Sequence, residues 1–551
     1  MKHVPLIAVF LFSFATNTSF AGPDKYDLAP TDLQKTGLNK VLCMKNGSTV
    51  LFHFEPRKAI TIKVFDSLHK EIASLKHLCQ TLDINTFEVS FFKGLYDING
   101  EAVLFIEQEH LSKKILVMVR FNATTGNVIE ERVVGKSESM SRPTEFFVMK
   151  YKNNEGYSIL YSADVPQFNE CKVHVTFFNN RHEVTRDVPI DIDRKKYDYM
   201  YVVGAEEQKN GNCMSFCLLK LITNETIHNS DVGNSEAIYN HTLFIAFIPD
   251  SSNVVRRSNM DLSTTNFPSF THFTFNPFSQ TLNLLLSNYK GYFVKNGLDV
   301  QPIALKSSIF FSLDENTMSL KYNWMSNKMA NVYYRQQTDT TKLFEGFPVK
   351  MFTNENGLST IVYESYGQYR NEETYTRRNV YESFFGKIGI TQCDDDGNEL
   401  WGIVLPNAQY LKSYSHFYHV YDLSKRWQQQ PMFEDLPEDA YNRQFVSLNS
   451  YYYHNSYYII FNDYNSNLNN SMAHPGETVY SFTNTNACYY KLNRKKEVTK
   501  SFLFGEPKEK EFKSSFIEGA DFDEQRGVYA TLIQYNQDNH ISLSMAWCHL
   551  E

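Results

Sequence analysis

Short apolar runs separated by polar turns fill the chain beyond its first two dozen residues. Val103-Leu104-Phe105-Ile106, Tyr157-Ser158-Ile159-Leu160-Tyr161, Thr360-Ile361-Val362-Tyr363 and Tyr458-Ile459-Ile460-Phe461 are β-branched and aromatic. Asn, Asp and Gly bound them and they show little helical periodicity, so they predict strands. One hairpin pattern recurs: an apolar strand ends in a bulky residue, passes a polar turn and resumes as a second strand. Copies run from 62–66 into 70–72, 119–122 into 128–129, 175–179 into 183–184, 247–250 into 253–255, 311–314 into 318–320, 390–394 into 400–401 and 490–493 into 497–498. Their turns begin at Asp66, Asn122, Asn179, Asp250, Asp314, Asp394 and Asn493, a loose but directional repeat.

A further apolar strand precedes most of these hairpins, so each module reads as an antiparallel sheet of about four short strands. That is the unit of a β-propeller. Residues 528–533 and 541–547 form one more hairpin, and the sequence ends at Glu551 with no room for an outer strand. The segment from Tyr26 to Leu38 is available to supply it and to remove the open edge. The expectation is an all-β propeller of eight blades, or seven if 197–262 is not an independent module, closed by both terminal segments. A pair of β-sandwich domains is the alternative. Two stretches break the rhythm, 322–346 and 406–443, and they are expected at one rim as insertions in a single domain spanning 22–551. The second contains Leu436-Pro437-Glu438-Asp439-Ala440, which suits a short helix begun by proline.

The N-terminus has the layout of an export signal: Lys2, an apolar run over 4–14, and small residues before a cleavage point after Ala21. Residues 1–21 are therefore expected to be removed and the remainder exported to the periplasm, the cell surface or the medium. After the signal, the longest apolar run is 243–248, closed by Pro249, too short to span a bilayer. Of 551 residues, 42% are hydrophobic and 21% charged, and the formal net charge is -8. This excludes a disordered chain and gives no field to attract nucleic acid. The 8 Cys have irregular spacing. Cys213 and Cys217 fall on one expected strand, roughly 13 Å apart and beyond disulfide reach. The other Cys read mainly as small buried hydrophobes, and no paired CxxC spacing indicates zinc.

The hairpins, and Asp395-Asp396-Gly397-Asn398-Glu399-Leu400-Trp401 above all, resemble those of secreted or periplasmic β-propeller-like proteins of bacteria. The resemblance is architectural, and it lacks WD40 and Kelch signatures. Such a fold serves binding, scaffolding and catalysis alike.

Candidate chemistry is sparse. His416, His419 and Asp422 are close in sequence, but residues three apart on a strand face opposite sides, so a surface or structural role is expected. Asp463-Tyr464-Asn465-Ser466-Asn467 opens like a calcium loop, yet Leu468 replaces its glycine and His474 its closing glutamate, which leaves an Asn-rich turn. Asp394-Asp395-Asp396-Gly397 reads first as a hairpin turn. Glu372-Glu373 and Glu434-Asp435 read as solvated turns. No nucleophile elbow, zinc-protease helix or phosphate-binding glycine loop occurs, and no catalytic residue, metal ligand or cofactor is assigned. Tyr363, Tyr366, Tyr369, Tyr375 and Tyr381 flank a loop with Arg370, Arg377 and Arg378, and Tyr451-Tyr452-Tyr453 precedes another strand. Consecutive tyrosines on a strand alternate sides. The expectation is therefore that some rings reach a surface where they stack on sugars or anchor a protein, the others filling gaps between blades. Together these readings suggest an exported, non-enzymatic binding or scaffold propeller engaging a polysaccharide or an envelope protein through rim loops. A polysaccharide hydrolase or lyase is the alternative.

Overall fold

The computed structural model describes residues 26–85, 90–110, 113–137, 145–151, 156–165, 170–192, 199–210, 212–227, 236–249, 252–262, 270–290, 304–314, 316–338, 340–372, 379–413 and 441–551. Their strands pair into eight antiparallel sheets. Seven sheets are built from consecutive strands, over residues 38–77, 91–136, 145–189, 199–262, 270–325, 347–413 and 449–502, and are numbered here as blades one to seven. The eighth blade is shared between the two ends of the sequence. Glu511–Ser515, Val528–Gln537 and His540–His549 come from one end, and Tyr26–Thr31 from the other lies outermost, with Leu28 opposite Ala546. The chain is thus an all-β propeller, closed as the sequence suggests.

Each blade is apolar on both faces because each packs against two neighbours. All eight residues of Ser456–Asp463 are buried. Tyr457, Ile459 and Phe461 pack with Val362 and Ile390 of blade six, whereas Tyr458 and Ile460 pack with Tyr529 and Ile533 of blade eight. The same alternation divides Ala102 and Leu104 toward blade one from Val103 and Phe105 toward blade three. Around the ring, eight such clusters join successive blades, and Leu51 and Phe65 of blade one meet Leu532 and Trp547 of blade eight.

The recurrent turn joins the third and fourth strands of a blade. Its Asp or Asn side chain accepts two backbone N–H bonds within the turn: Asp66 from Leu68 and Lys70, Asn179 from Arg181 and Glu183, Asp394 from Asp396 and Asn398, Asn493 from Lys495 and Glu497. A residue with positive φ follows, His69, His182, Gly397 and Lys496 in these four, as the bulge of a short hairpin requires. That residue leans on the preceding blade. A Cβ on Gly397 would stand 2.9 Å from Phe310, Lys496 Nζ lies 5.4 Å from the Trp401 ring centroid, and His69 stacks on Trp547 with centroids 4.3 Å apart. The repeat therefore carries packing information as well as chain reversal.

Two expectations need correction. The hairpin expected from 247–250 into 253–255 has its first strand ending at Pro249, and its second begins only at Arg256. The 322–346 stretch is not a plain loop, because its start completes strand Leu320–Met325 and Lys328–Thr338 is an α-helix. The helix seats Ala330 and Tyr334 in the cluster between blades five and six. Ala330 lies so close to Gly402 that a Cβ there would meet its backbone N at 2.4 Å. No helix among the described residues is long and apolar enough to cross a membrane.

Candidate functional site at the ring seam

Strand topology places the loops between second and third strands, and the connections between blades, at one end of the ring. At that end, residues 441–448 run from the 406–443 insertion into blade seven and tie four blades together. The Ser447 N–H donates to Gln409 Oε1 at 2.8 Å, and Ser447 Oγ donates to Glu364 Oε2 at 2.5 Å, both on blade six. Asn462 of blade seven donates through Nδ2 to the carbonyls of Phe445 and of Ser515 on blade eight. The Tyr441 hydroxyl donates to Gln534 Oε1 of blade eight at 3.0 Å. Gln444 Nε2 donates to the Gly37 carbonyl at 2.9 Å, and its Oε1 accepts the Asn39 N–H at 2.8 Å, reaching blade one. Tyr441, Phe445 and Val446 fill the apolar side of the same seam beside Phe482 and Phe516.

Two titratable groups are trapped here. Glu364 is 1% exposed, and burial, only partly offset by Ser447, pushes its carboxyl up to about 8, so it is largely neutral at pH 7. His53 donates through Nδ1 to Asn39 Oδ1 at 2.8 Å. Burial, against the pull of Glu55, lowers its imidazole to about 4, and Nε2 stands 3.7 Å from Glu55 Oε2. A neutral carboxyl and a neutral imidazole suit a low-dielectric seam where charges would be costly.

The outer margin of this end carries an aromatic row. Tyr410 lies 5.1 Å from Phe384 and 5.2 Å from Tyr480, measured between ring centroids, and Tyr480 is 64% exposed. The row is fixed by backbone: Tyr410 N donates to the Val479 carbonyl and Val479 N to the Ala408 carbonyl, each at 2.9 Å. Tyr410 is positioned by Gln409–Ser413, which pairs with the long strand Asn379–Cys393. The successive rings are tilted by 59° and 49° to one another, and the row ends in the exposed Tyr480.

The residues singled out from sequence divide sharply. His416, His419, Asp422, Tyr369, Arg370, Glu372, Glu373, Tyr375, Arg377, Arg378, Glu434, Asp435 and the 436–440 segment have side chains outside the described residues, as do Cys213 and Cys217, although both of these lie in strand Asn212–Ile227. Asp463 is internal: its carboxylate accepts from Lys500 Nζ at 2.7 Å, Asn467 Nδ2 and the Tyr464 N–H. The Lys500 ammonium, rather than a bound cation, neutralises this carboxylate. Asp394 closes its turn, Asp395 accepts from Asn276 and Asn283 of blade five, and Asp396 pairs with Lys321. Tyr363, Tyr366 and Tyr381 are buried. Tyr451 and Tyr453 pack toward blade eight and Tyr452 toward blade six. Tyr363, Tyr366 and Tyr381 thus fill gaps between blades, whereas Tyr451, Tyr452 and Tyr453 pack against neighbouring blades and stay partly exposed. Glu364, Ser447, Gln444 and the Phe384–Tyr410–Tyr480 row were not legible beforehand, since each partner set comes from separate modules.

No family model matches the chain, and no curated protein matches it. Solved structures similar to it include the WD40 domain of SCAP from fission yeast, 8% identical, with 95% of this chain and 98% of that chain covered and a TM-score of 0.33. A post-proline cleaving enzyme from Rickettsia typhi is 9% identical, with 91% and 58% covered and a TM-score of 0.37. An α-L-arabinanase from Penicillium chrysogenum is 12% identical, with 61% and 91% covered and a TM-score of 0.33. At these values no activity transfers, and the propeller assignment rests on the strand pairing itself.

Proposed function

We propose that this chain is a binding propeller that engages a glycan at the margin of blades six and seven, and that residues 1–21 direct its export. The observation that carries the reading is the row of Phe384, Tyr410 and Tyr480, held by backbone bonds and open at Tyr480. Stacking rings supply affinity for a sugar face with little side-chain entropy to lose, because Phe384 and Tyr410 are already partly buried. Glu382 and Lys412, opposite each other on the strands that carry the row, supply polar groups for hydroxyls. Beneath the row, Ser447 bonds to Gln409 and Glu364 of blade six, which holds the strand that carries Tyr410.

The test is a thermal-shift screen of the mature chain against soluble polysaccharides and their oligomers. A ligand at about 100 times its Kd adds roughly 2.7 kcal/mol, a shift of about 2 °C for a ring of this size that melts as one unit. The reading expects a glycan hit that Tyr480→Ala and Tyr410→Ala abolish while the unliganded melt of Tyr480→Ala stays unchanged. A hit insensitive to both substitutions removes this site from the account, and product formation from the bound glycan would move the reading to a hydrolase or lyase.

A further inference from the structure

Away from the seam, blades one and two bring together three different metal-ligating side chains. His77 ends the outer strand Glu71–His77 of blade one, Cys79 follows two residues later, and Glu131 lies on the outer strand Val128–Lys136 of blade two. One ligand atom from each lies within 4.8 Å of the others, and His77 Nε2 is 3.2 Å from Glu131 Oε2. The cluster is half-buried. We propose that His77, Cys79 and Glu131 form a zinc-class divalent metal site that clamps the outer edges of blades one and two.

The donor set decides the class of ion. A nitrogen, a sulfur and a carboxylate oxygen suit zinc and its neighbours, whereas calcium and magnesium require oxygen throughout. Two ligands bound to tetrahedral zinc at 2.0–2.2 Å stand roughly 3.3 Å apart, close to the His77–Glu131 separation. Cys79 sits just beyond the strand, so its side chain can turn toward that pair. Glu131 is positioned independently of any ion. Its Oε1 accepts the Leu82 N–H at 2.6 Å and the Thr81 N–H, and Oε2 accepts the Gln80 N–H at 3.1 Å. Backbone N–H groups thus orient the carboxylate, as outer-shell partners do in metal sites, and on its other side Oε2 accepts from His77 Nε2 at 3.2 Å, the one hydrogen bond that an ion would replace.

Binding moves protons in a defined way. Without an ion the His77 Nε2–H donates to Glu131 Oε2; on coordination Nε2 gives its lone pair to the ion, the neutral ring takes its proton on Nδ1 by exchange with solvent, and the Cys79 thiol releases one proton to solvent. A bound divalent ion favours the Cys79 thiolate over the thiol. Three protein ligands leave one tetrahedral position for water or another small ligand. The sequence offers no sign of the site, because His77-Leu78-Cys79 lacks a paired motif and Glu131 lies 54 residues beyond His77.

The experiment uses the mature full-length protein, freed of metal by a chelator and then offered zinc, cobalt(II) or calcium. The proposal expects one zinc per chain, a higher melting temperature with zinc but not calcium, and a thiolate-to-cobalt absorption band in the near ultraviolet. Cys79→Ser should remove the band and weaken zinc binding by at least about tenfold, the loss expected even for an outer-shell partner. Its metal-free melt, compared with metal-free wild type, separates loss of a ligand from loss of fold. If folded wild type shows no stoichiometric zinc and no cobalt band, or if the band survives in Cys79→Ser, the site does not exist as proposed.

Discussion

The indole N–H of Trp547 donates to the Thr49 hydroxyl at 2.9 Å, joining side chains 498 positions apart in sequence. Trp547 is on the penultimate stretch of the last strand, Thr49 begins the second strand of blade one, and the His69 ring stacks on the same indole. One side chain therefore holds the eighth blade to the first through a hydrogen bond, an aromatic stack and the apolar cluster containing Phe65. Trp547→Ala should destabilise the protein by about 3–5 kcal/mol, and Trp547→Phe by less, because only the hydrogen bond and part of the ring are lost. Chemical denaturation of both variants checks the order. Equal midpoints for Ala, Phe and wild type would refute the role given to Trp547.

Gln444 satisfies the Asn39 N–H and the Gly37 carbonyl at once. Gln444→Ala leaves both buried groups without that partner, at about 1–3 kcal/mol for each. The expected outcome is a lower midpoint with an unchanged glycan response, since the aromatic row is separate from blade one.

Lys500 and Asp463 are 6% and 2% exposed and meet at 2.7 Å. Lys500→Met keeps the stem but strands a buried carboxylate, and the expected loss is about 3–5 kcal/mol. The double variant Lys500→Met with Asp463→Asn should recover part of it, because no charge is then left unpaired. Adding calcium to wild type should not move the melt through this loop.

Glu364 makes stability depend on pH in a defined window. Its folded value, about 8, is raised above that of an unfolded carboxylate, so the folded state binds the extra proton. The associated stability is fully present below the unfolded value and is lost as pH rises toward 8, at about 1.4 kcal/mol per pH unit. His53 and His272, both held down to about 4 by burial, act in the opposite sense, but only as pH falls below 6.5. Between pH 6.5 and 8 the fall belongs to Glu364. Glu364→Gln should flatten it, which denaturation midpoints across that window would show.

The repeat was readable because its chemistry is local. Asp66, Asn122, Asn179, Asp314, Asp394 and Asn493 mark six turns, each followed three or four residues later by a positive-φ residue. The helix at Lys328–Thr338 escaped notice because few of its side chains are buried, Ala330, Asn331 and Tyr334 among them, leaving no apolar stripe to read. Tyr363, Tyr366 and Tyr381 are buried for the opposite reason: a strand packed on both faces has no polar face, so alternation does not signal a surface. The seam was illegible because Gln444, Asn39, Asn462 and Ser515 meet only when the ring closes. A side chain whose partners lie on other blades has no local pattern.

Closure by Tyr26–Thr31 is the claim on which the rest depends, and hydrogen exchange at the last strand tests it most directly. In the full-length protein, the N–H groups of Leu543 to Cys548 are expected to exchange slowly on both edges, because the strand lies between Val528–Gln537 and Tyr26–Thr31. Deleting residues 22–31 should expose the amides that point toward Tyr26–Thr31 and lower the melting temperature, while those facing Val528–Gln537 keep their protection. Unchanged protection and an unchanged melt after that deletion would contradict closure by the N-terminal strand.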